Sequence, residues 1–144
     1  MEISEVVARE QVRQTLAVYN WAGDSGRAGD LAAAFTPDGV LELRHGGTYR
    51  GREEIAGFIG GVADRPVTSA QPVGRLVRHN LATIRFTSVT SEEVRVESYF
   101  TVFTEHGLDH YGRYRDRLVP VAGDWLIAHR LVSTDWIVPE STMG

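Results

Sequence analysis

Cysteine and lysine are both missing from this chain of 144 residues, and all fifteen of its basic residues are arginine. With no thiol and no side-chain amine, cysteine nucleophiles and lysine Schiff bases are excluded, and so are disulfides. No apolar run is long enough to cross a bilayer, and Met1-Glu2-Ile3-Ser4-Glu5 has neither the basic start nor the apolar stretch of a secretory signal. A cytoplasmic protein with no membrane partner is expected. A formal charge of −4, with the arginines scattered rather than gathered into an arm, gives no general attraction to phosphate backbones. Nucleic acid is therefore not an expected partner. G-x-S-x-G, a Walker A loop, G-x-G-x-x-G before a helix and H-E-x-x-H are all absent as well, which removes the usual sequence support for serine-hydrolase, phosphoryl-transfer, Rossmann and zinc chemistry. What remains is acid–base chemistry with no cofactor and no metal.

With 42% hydrophobic and 24% charged residues and no low-complexity block, the whole length, residues 1–144, is expected to fold as one domain. From Ser4 to about Gly23 the apolar positions Val12, Leu16 and Tyr19 recur at helical spacing, with Ser4 as N-cap. Gly23-Asp24-Ser25-Gly26 stops that helix, so Asp24 falls in a turn before a short helix, Leu31–Phe35, capped by Asp30. Pro37-Asp38-Gly39 reads as a turn into a strand Val40–His45, and a third helix is predicted from about Arg52 to Val62. The stretch Ala63–Gly74 has two prolines and little periodicity, and is expected to be a loop at a pocket rim. The rest is strand-rich: Leu76–Val89, Glu93–Glu105, His110–Val121 and Trp125–Trp136, joined by short turns. Helices early and an antiparallel meander late predict an α+β domain whose curved sheet wraps the helices and leaves a cavity against them.

Within this frame a few side chains can carry chemistry. His79 alternates with Val77 and Leu81 and so faces inward; it is either a core histidine bonded to a carbonyl or a base. Asp24 either caps the helix end or holds one tautomer of that imidazole, which would make it a usable base near neutral pH. Tyr19, five positions earlier, either fills the core or opens onto the same cavity. Arg130 shares the face of Leu126, Ala128 and Val132, where a guanidinium needs a buried anion: Asp24 or a substrate group on one reading, a structural partner such as Glu97, Glu105 or Asp116 on the other. His110, Tyr114 and Asp116 share one face of their strand, and Arg113, Arg115 and Arg117 the other, a solvated or subunit-contacting surface. His45 follows Leu41 and Leu43 and either lines the cavity or ends the strand. His129 is expected to point with Trp125 and Ile127. Leu81 and Phe100 are apolar positions that would shape the cavity.

Over nearly its whole length the chain resembles the SnoaL-like branch of the nuclear transport factor 2-like superfamily. The resemblance rests on Tyr19-x4-Asp24, Gly29-Asp30-Leu31 through Phe35-x2-Asp38, Tyr49-Arg50-Gly51-Arg52-Glu53-Glu54-Ile55, Arg78-His79, Gly112-Arg113-Tyr114-Arg115-Asp116 and Gly123-Asp124-Trp125 leading to Arg130. It implies a cone-shaped α+β barrel, mixed but largely antiparallel, commonly in a homodimer or homotrimer and open at one end to a small apolar molecule. The pattern is most similar to scytalone dehydratase, bile-acid 7α-dehydratase and hexachlorocyclohexane dehydrochlorinase, cofactor-free lyases with an Asp–His dyad. Carried over, His79 would be the base, Asp24 its orienting carboxylate, Tyr19 a donor to a substrate oxygen and Arg130 a partner of the leaving group or of Asp24, with Tyr49, Leu81, Phe100, His110, Tyr114 and His45 around the substrate. The expected function is a dehydratase-type elimination or isomerisation of a small hydroxy- or keto-compound. Alternatives are a polyketide or terpenoid cyclase, a ligand-shaping accessory protein, an epoxide hydrolase, or a non-catalytic interaction module. Scytalone dehydratase has a second histidine on the next strand where a gapless count puts Thr104, so scytalone itself is not the expected substrate.

Overall fold

The structure, a computed structural model, describes residues 1–63, 76–141 and 143. The predicted rim loop, Ala63–Gly74, lies almost wholly outside the described residues. Nine elements follow one another: helices α1 (Ile3–Asp24) and α2 (Ala28–Ala33), strands β1 (Phe35–Leu43) and β2 (Thr48–Arg50), helix α3 (Gly51–Ala63), and strands β3 (Val77–Val89), β4 (Val94–Thr104), β5 (Gly107–Val121) and β6 (Asp124–Ile137). The strands form one sheet in the order β2-β1-β6-β5-β4-β3, antiparallel except where β1 runs parallel to β6. No described helix is long and apolar enough to cross a membrane.

Helix α1 buries Ala8, Val12, Leu16, Tyr19 and Ala22, a stripe at helical spacing, against a sheet face carrying Val94, Val96, Phe100, Val102, Leu118 and Ile127. Its start has no side-chain cap: Glu2 occupies the cap position, and Ser4, expected there, is inside the helix. Its end is firmly built. Gly26 takes a positive φ of 70°, which lets its N–H reach the Gly23 carbonyl and the Arg27 N–H reach Ala22. This double closure fixes the last turn of α1 and with it Asp24, which is the last helical residue rather than a turn residue.

Two expected boundaries shift. Phe35 opens β1 instead of closing α2, and Pro37-Asp38-Gly39 is an irregularity inside β1, where the pairing with β6 jumps between Phe35 and Val40. Strand alternation holds well in β4, where every second residue from Val94 to Val102 is buried. Elsewhere it is broken by bulges. On β3 the register against β4 slips twice between Ala82 and Ser88, with Thr83 at φ 51°. On β6, Arg117 pairs with His129 and Leu118 with Ile127, so Ala128 is an extra residue. That bulge reverses the side-chain phase: Ile127 and Arg130 both face in, and His129, expected to point with Trp125 and Ile127, points out and bonds Glu42 at 2.9 Å.

Candidate functional site

Strand β3 is an edge of the sheet, and its His79 N–H, which points away from β4, is taken by Asp24 Oδ2 at 3.0 Å. The other carboxylate oxygen lies 2.5 Å from His79 Nδ1. One residue of α1 thus holds one residue of β3 by backbone and side chain together. A carboxylate only accepts, so the shared proton sits on Nδ1 and the Nε2 lone pair is left open. The two side chains are mostly buried, at 19% and 12% exposure.

Both groups stand on the wall of an open cavity of about 410 Å³ between the sheet and the helices. Its apolar lining includes Leu31 on α2, Leu41 and Leu43 on β1, Phe58 and Ile59 on α3, and Phe100 on β4; its polar side chains among the described residues are Tyr19, Asn20, Asp24, Ser25, His79, His110, Tyr114 and Thr134. An apolar hollow with a few convergent polar groups is the usual form of a small-molecule site. A larger hollow of about 780 Å³ lies on the outer sheet face around Arg95, Arg115 and Arg117. Two of these arginines, Arg95 and Arg117, share Glu93, and the imidazole of this hollow, His129, meets Glu42 with both side chains more than a third exposed, whereas Asp24 and His79 are mostly buried, so the smaller cavity is the candidate site.

Behind the cavity lies a charged core. Arg130 has no solvent exposure and forks onto Asp116, Nε to Oδ1 at 2.7 Å and Nη2 to Oδ2 at 2.8 Å. Its guanidinium carbon is 4.2 Å from the Tyr19 ring centre and 3.7 Å from that of Tyr114. Burial alone would lower the Arg130 pKa, but Asp116 raises it, so the cation is permanent. Burial pushes both phenols above the ordinary tyrosine value, Tyr114 strongly, with Arg130 offsetting part of the rise. Two neutral phenols are therefore presented to the cavity as hydrogen-bond donors.

The expected site divides accordingly. The structure brings Asp24, His79, Tyr19, Phe100, His110 and Tyr114 to one cavity. Four placements are corrected. His45 is exposed in the β1–β2 turn, because β1 ends at Leu43. Tyr49 stacks on Phe58 at 4.2 Å and supports the wall from behind without reaching the cavity. Leu81 is not on this cavity but on an adjoining groove, with Trp21 and Phe103, that Asp24 and His79 also line. Arg130 touches neither Asp24 nor the cavity; Asp116, one of the structural partners considered, is its anion. Thr104 ends β4 opposite Val77, and the cavity's second imidazole is instead His110 on β5.

Sequence reasoning missed Asn20, one helical turn before Asp24, whose buried Oδ1 has no partner among the described residues and whose side chain lines the cavity. It also missed Asp109, Ser141 and Met143. His106 lies in an exposed turn, and among the described residues no cluster of three or more His, Asp or Glu side chains is arranged to hold a metal.

A curved, largely antiparallel sheet closed by helices around a polar-tipped cavity is the nuclear transport factor 2-like α+β architecture. Within it the chain belongs to the family of the SnoaL-like domain, whose model matches residues 4–131. No curated protein matches the chain significantly. Among solved structures, a provisionally named scytalone dehydratase from Novosphingobium aromaticivorans DSM 12444 superposes with TM-score 0.81 at 21% identity, over 96% of this chain and 91% of that one. A Catenulispora acidiphila protein solved in complex with S-DNPA superposes with TM-score 0.77 at 26% identity, over 90% of this chain and 95% of the other. An NTF2-like protein with a cystatin-like fold, also from Novosphingobium aromaticivorans, gives TM-score 0.73 at 20% identity, over 95% of this chain and 86% of that one.

Proposed function

We propose that this protein is a cofactor-independent lyase or isomerase acting on a small, largely apolar hydroxy- or keto-compound, with elimination of water as its reaction type. The observation that carries the reading is the 2.5 Å contact of Asp24 Oδ1 with His79 Nδ1 on the wall of a 410 Å³ cavity. A carboxylate fixed by a backbone N–H and an imidazole is a ready orienting group, and the Nε2 it leaves open is the base that takes a proton from carbon. Tyr19 and Tyr114 donate to the oxygen on which negative charge develops, as preorganised donors. Arg130 acts at one remove, holding both rings.

Two further points support the reading over a purely structural module. The described side chains leave the cavity unfilled, and the Catenulispora acidiphila protein of the same fold was solved in complex with S-DNPA. Cyclisation of a keto-compound would use the same dyad and remains the alternative reaction. Association as a homodimer or homotrimer is proposed through the outer sheet face, where Tyr99 is exposed and Tyr111 stacks on Trp136 at 5.7 Å.

The test is a screen of small β-hydroxy ketones and cyclic ketones for enone formation or for deuterium uptake from solvent, repeated with His79→Gln and Asp24→Asn. Loss of a general base costs roughly 10²–10⁴-fold in rate. His79→Gln should lose at least the lower figure with an unchanged circular dichroism spectrum, and a variant as active as the wild type refutes the assignment.

A further inference from the structure

The cavity holds a second imidazole with its own carboxylate, and the reaction proposed above does not use it. His110 on β5 is 13% exposed at its side chain, and its Nδ1 lies 2.7 Å from Oδ2 of the buried Asp109. Neighbouring residues of a regular strand point to opposite faces and do not meet in this way. Here they meet because Val102 pairs with His110 while Phe103 pairs with Leu108, which makes Asp109 the extra residue of a bulge. The bulge turns the Asp109 carboxylate to the inner side, where it is almost fully buried.

The carboxyl-terminal segment completes the arrangement. The Val138 N–H donates to the Asp109 carbonyl at 2.8 Å, and the Ser141 hydroxyl donates to Asp109 Oδ2 at 2.7 Å. Ser141 Oγ in turn accepts the Met143 N–H at 3.0 Å, and Met143 lines the cavity. The His110 ring meets Phe100 edge-on, at 5.9 Å and 74°. Carboxylate and ring are thus fixed from three sides. As at His79, the carboxylate claims the Nδ1 proton and leaves Nε2 to the cavity.

The positions of the two imidazoles are set by the ladder. His79 on β3 and His110 on β5 are both paired with Val102 on β4. They stand in one row, two strand spacings apart, about 10 Å between backbones. Side chains reaching from both ends of that row can engage one small molecule between them.

We propose that Asp109, His110 and Ser141 form a second acid–base unit that works opposite the first, with His110 as the acid for the departing oxygen; this rests on the elimination reading. His79 takes a proton from carbon, and the C–H electron pair becomes the second bond of the alkene. The adjacent C–O bond breaks with its pair on oxygen, which receives the Nε2 proton of the His110 imidazolium and leaves as water. His79 ends charged and His110 neutral, and exchange with solvent restores both. Asp109 and Ser141 are positioning residues, acting through His110.

The experiment compares two probes that yield the same enone, 3-hydroxycyclohexanone and 3-acetoxycyclohexanone, with wild type, His79→Gln, His110→Gln and Ser141→Ala. Acetate leaves without a proton and hydroxide does not. His110→Gln should therefore lose about 10²-fold or more on the hydroxy compound and stay within roughly tenfold of wild type on the acetoxy compound. Ser141→Ala should follow the same pattern more weakly, with restoration by Ser141→Thr. His79→Gln should lose on both. Equal losses on both probes in His110→Gln, or none on either, overturn the proposal; if His79→Gln also loses nothing, the elimination reading itself has failed. A readout that needs no turnover is the imidazole nitrogen shifts by NMR. Neutral His110 should carry its proton on Nδ1 in the wild type and on both nitrogens in mixture in Asp109→Asn, and a wild-type proton on Nε2 overturns the proposal whether or not either probe reacts.

Discussion

Removing Asp116 should unfold this protein more readily than any other single loss of a carboxylate. The Asp116–Arg130 pair has no exposure on either side chain, and two charge-assisted bonds of 2.7 and 2.8 Å join it. Asp116→Ala leaves a guanidinium that cannot give up its proton, in a place water does not reach. Breaking a buried pair in this way costs about 3–5 kcal/mol, against a total stability of about 5–15 kcal/mol for a domain of ordinary size. The faces of Tyr19 and Tyr114 still shelter the cation, so the lower half of that range is the better figure for the alanine variant. At about 2–4 °C per kcal/mol, the midpoint of thermal unfolding should fall by roughly 10 °C. The decisive comparison is with Asp116→Leu combined with Arg130→Met, which removes both charges and keeps volume. Because the stranded cation is the source of the cost, the double variant should be more stable than Asp116→Ala in urea unfolding followed by circular dichroism. A double variant less stable than the single one, or an Asp116→Ala cost below about 1 kcal/mol, would show that the pair is worth its contacts alone or is reached by water, and the reasoning would be refuted.

Two further outcomes follow from the same interior. Tyr19 and Tyr114 have pKa values raised above 10.0 chiefly by burial, so the unfolded chain ionises first; stability contributed by keeping them neutral is complete below pH 10.0 and is lost as pH rises beyond it. An absorbance titration should find these two of the five tyrosines ionising only as the fold is lost, and ionisation of all five before unfolding would contradict it. Gly112→Ala should cost about 3 kcal/mol or more in denaturant unfolding, because a Cβ there overlaps the Ser133 carbonyl oxygen and comes within 2.9 Å of the Phe100 ring; a cost under about 1 kcal/mol would mean that β5 and β6 can separate freely.

How much of this was legible in the sequence depends on how far simple periodicity held. The stripe Val12, Leu16, Tyr19 and the stop at Gly23-Asp24-Ser25-Gly26 placed α1, and the alternation Val77, His79, Leu81 turned His79 inward on β3. The phase of β5 put His110 and Tyr114 on one face and the arginines on the other, as the structure has them. Short elements were harder. The three residues of β2 carry no pattern, so Tyr49 could be named only by resemblance, and its stacking behind Phe58 depends on where α3 lies. His45 was misplaced by two residues of strand end, a distance that no propensity resolves. Leu81 shares the phase of His79 and, like it, lines the groove beside Trp21, but only His79 also reaches the cavity.

The remaining differences have one physical origin, the extra residue in a strand. The insertion at Ala128 brings Arg130 inward beside Ile127 and sends His129 out to Glu42, and the insertion at Asp109 sets a carboxylate beside its own neighbour's imidazole. A bulge has no strong sequence signature: Ile127-Ala128-His129 reads as ordinary strand, Leu108-Asp109 falls just before the expected strand start at His110, and only cross-strand pairing shows which residue has no opposite. Asp109 lies at such a point for an energetic reason. A regular β-ladder uses its backbone donors and acceptors up, whereas a bulge frees some of them and re-aims a side chain. At Asp109 the freed carbonyl takes the Val138 N–H, while Oδ2 of the side chain takes both His110 Nδ1 and the Ser141 hydroxyl. The same irregularity that hides this group from sequence reading is what makes its burial affordable in free energy.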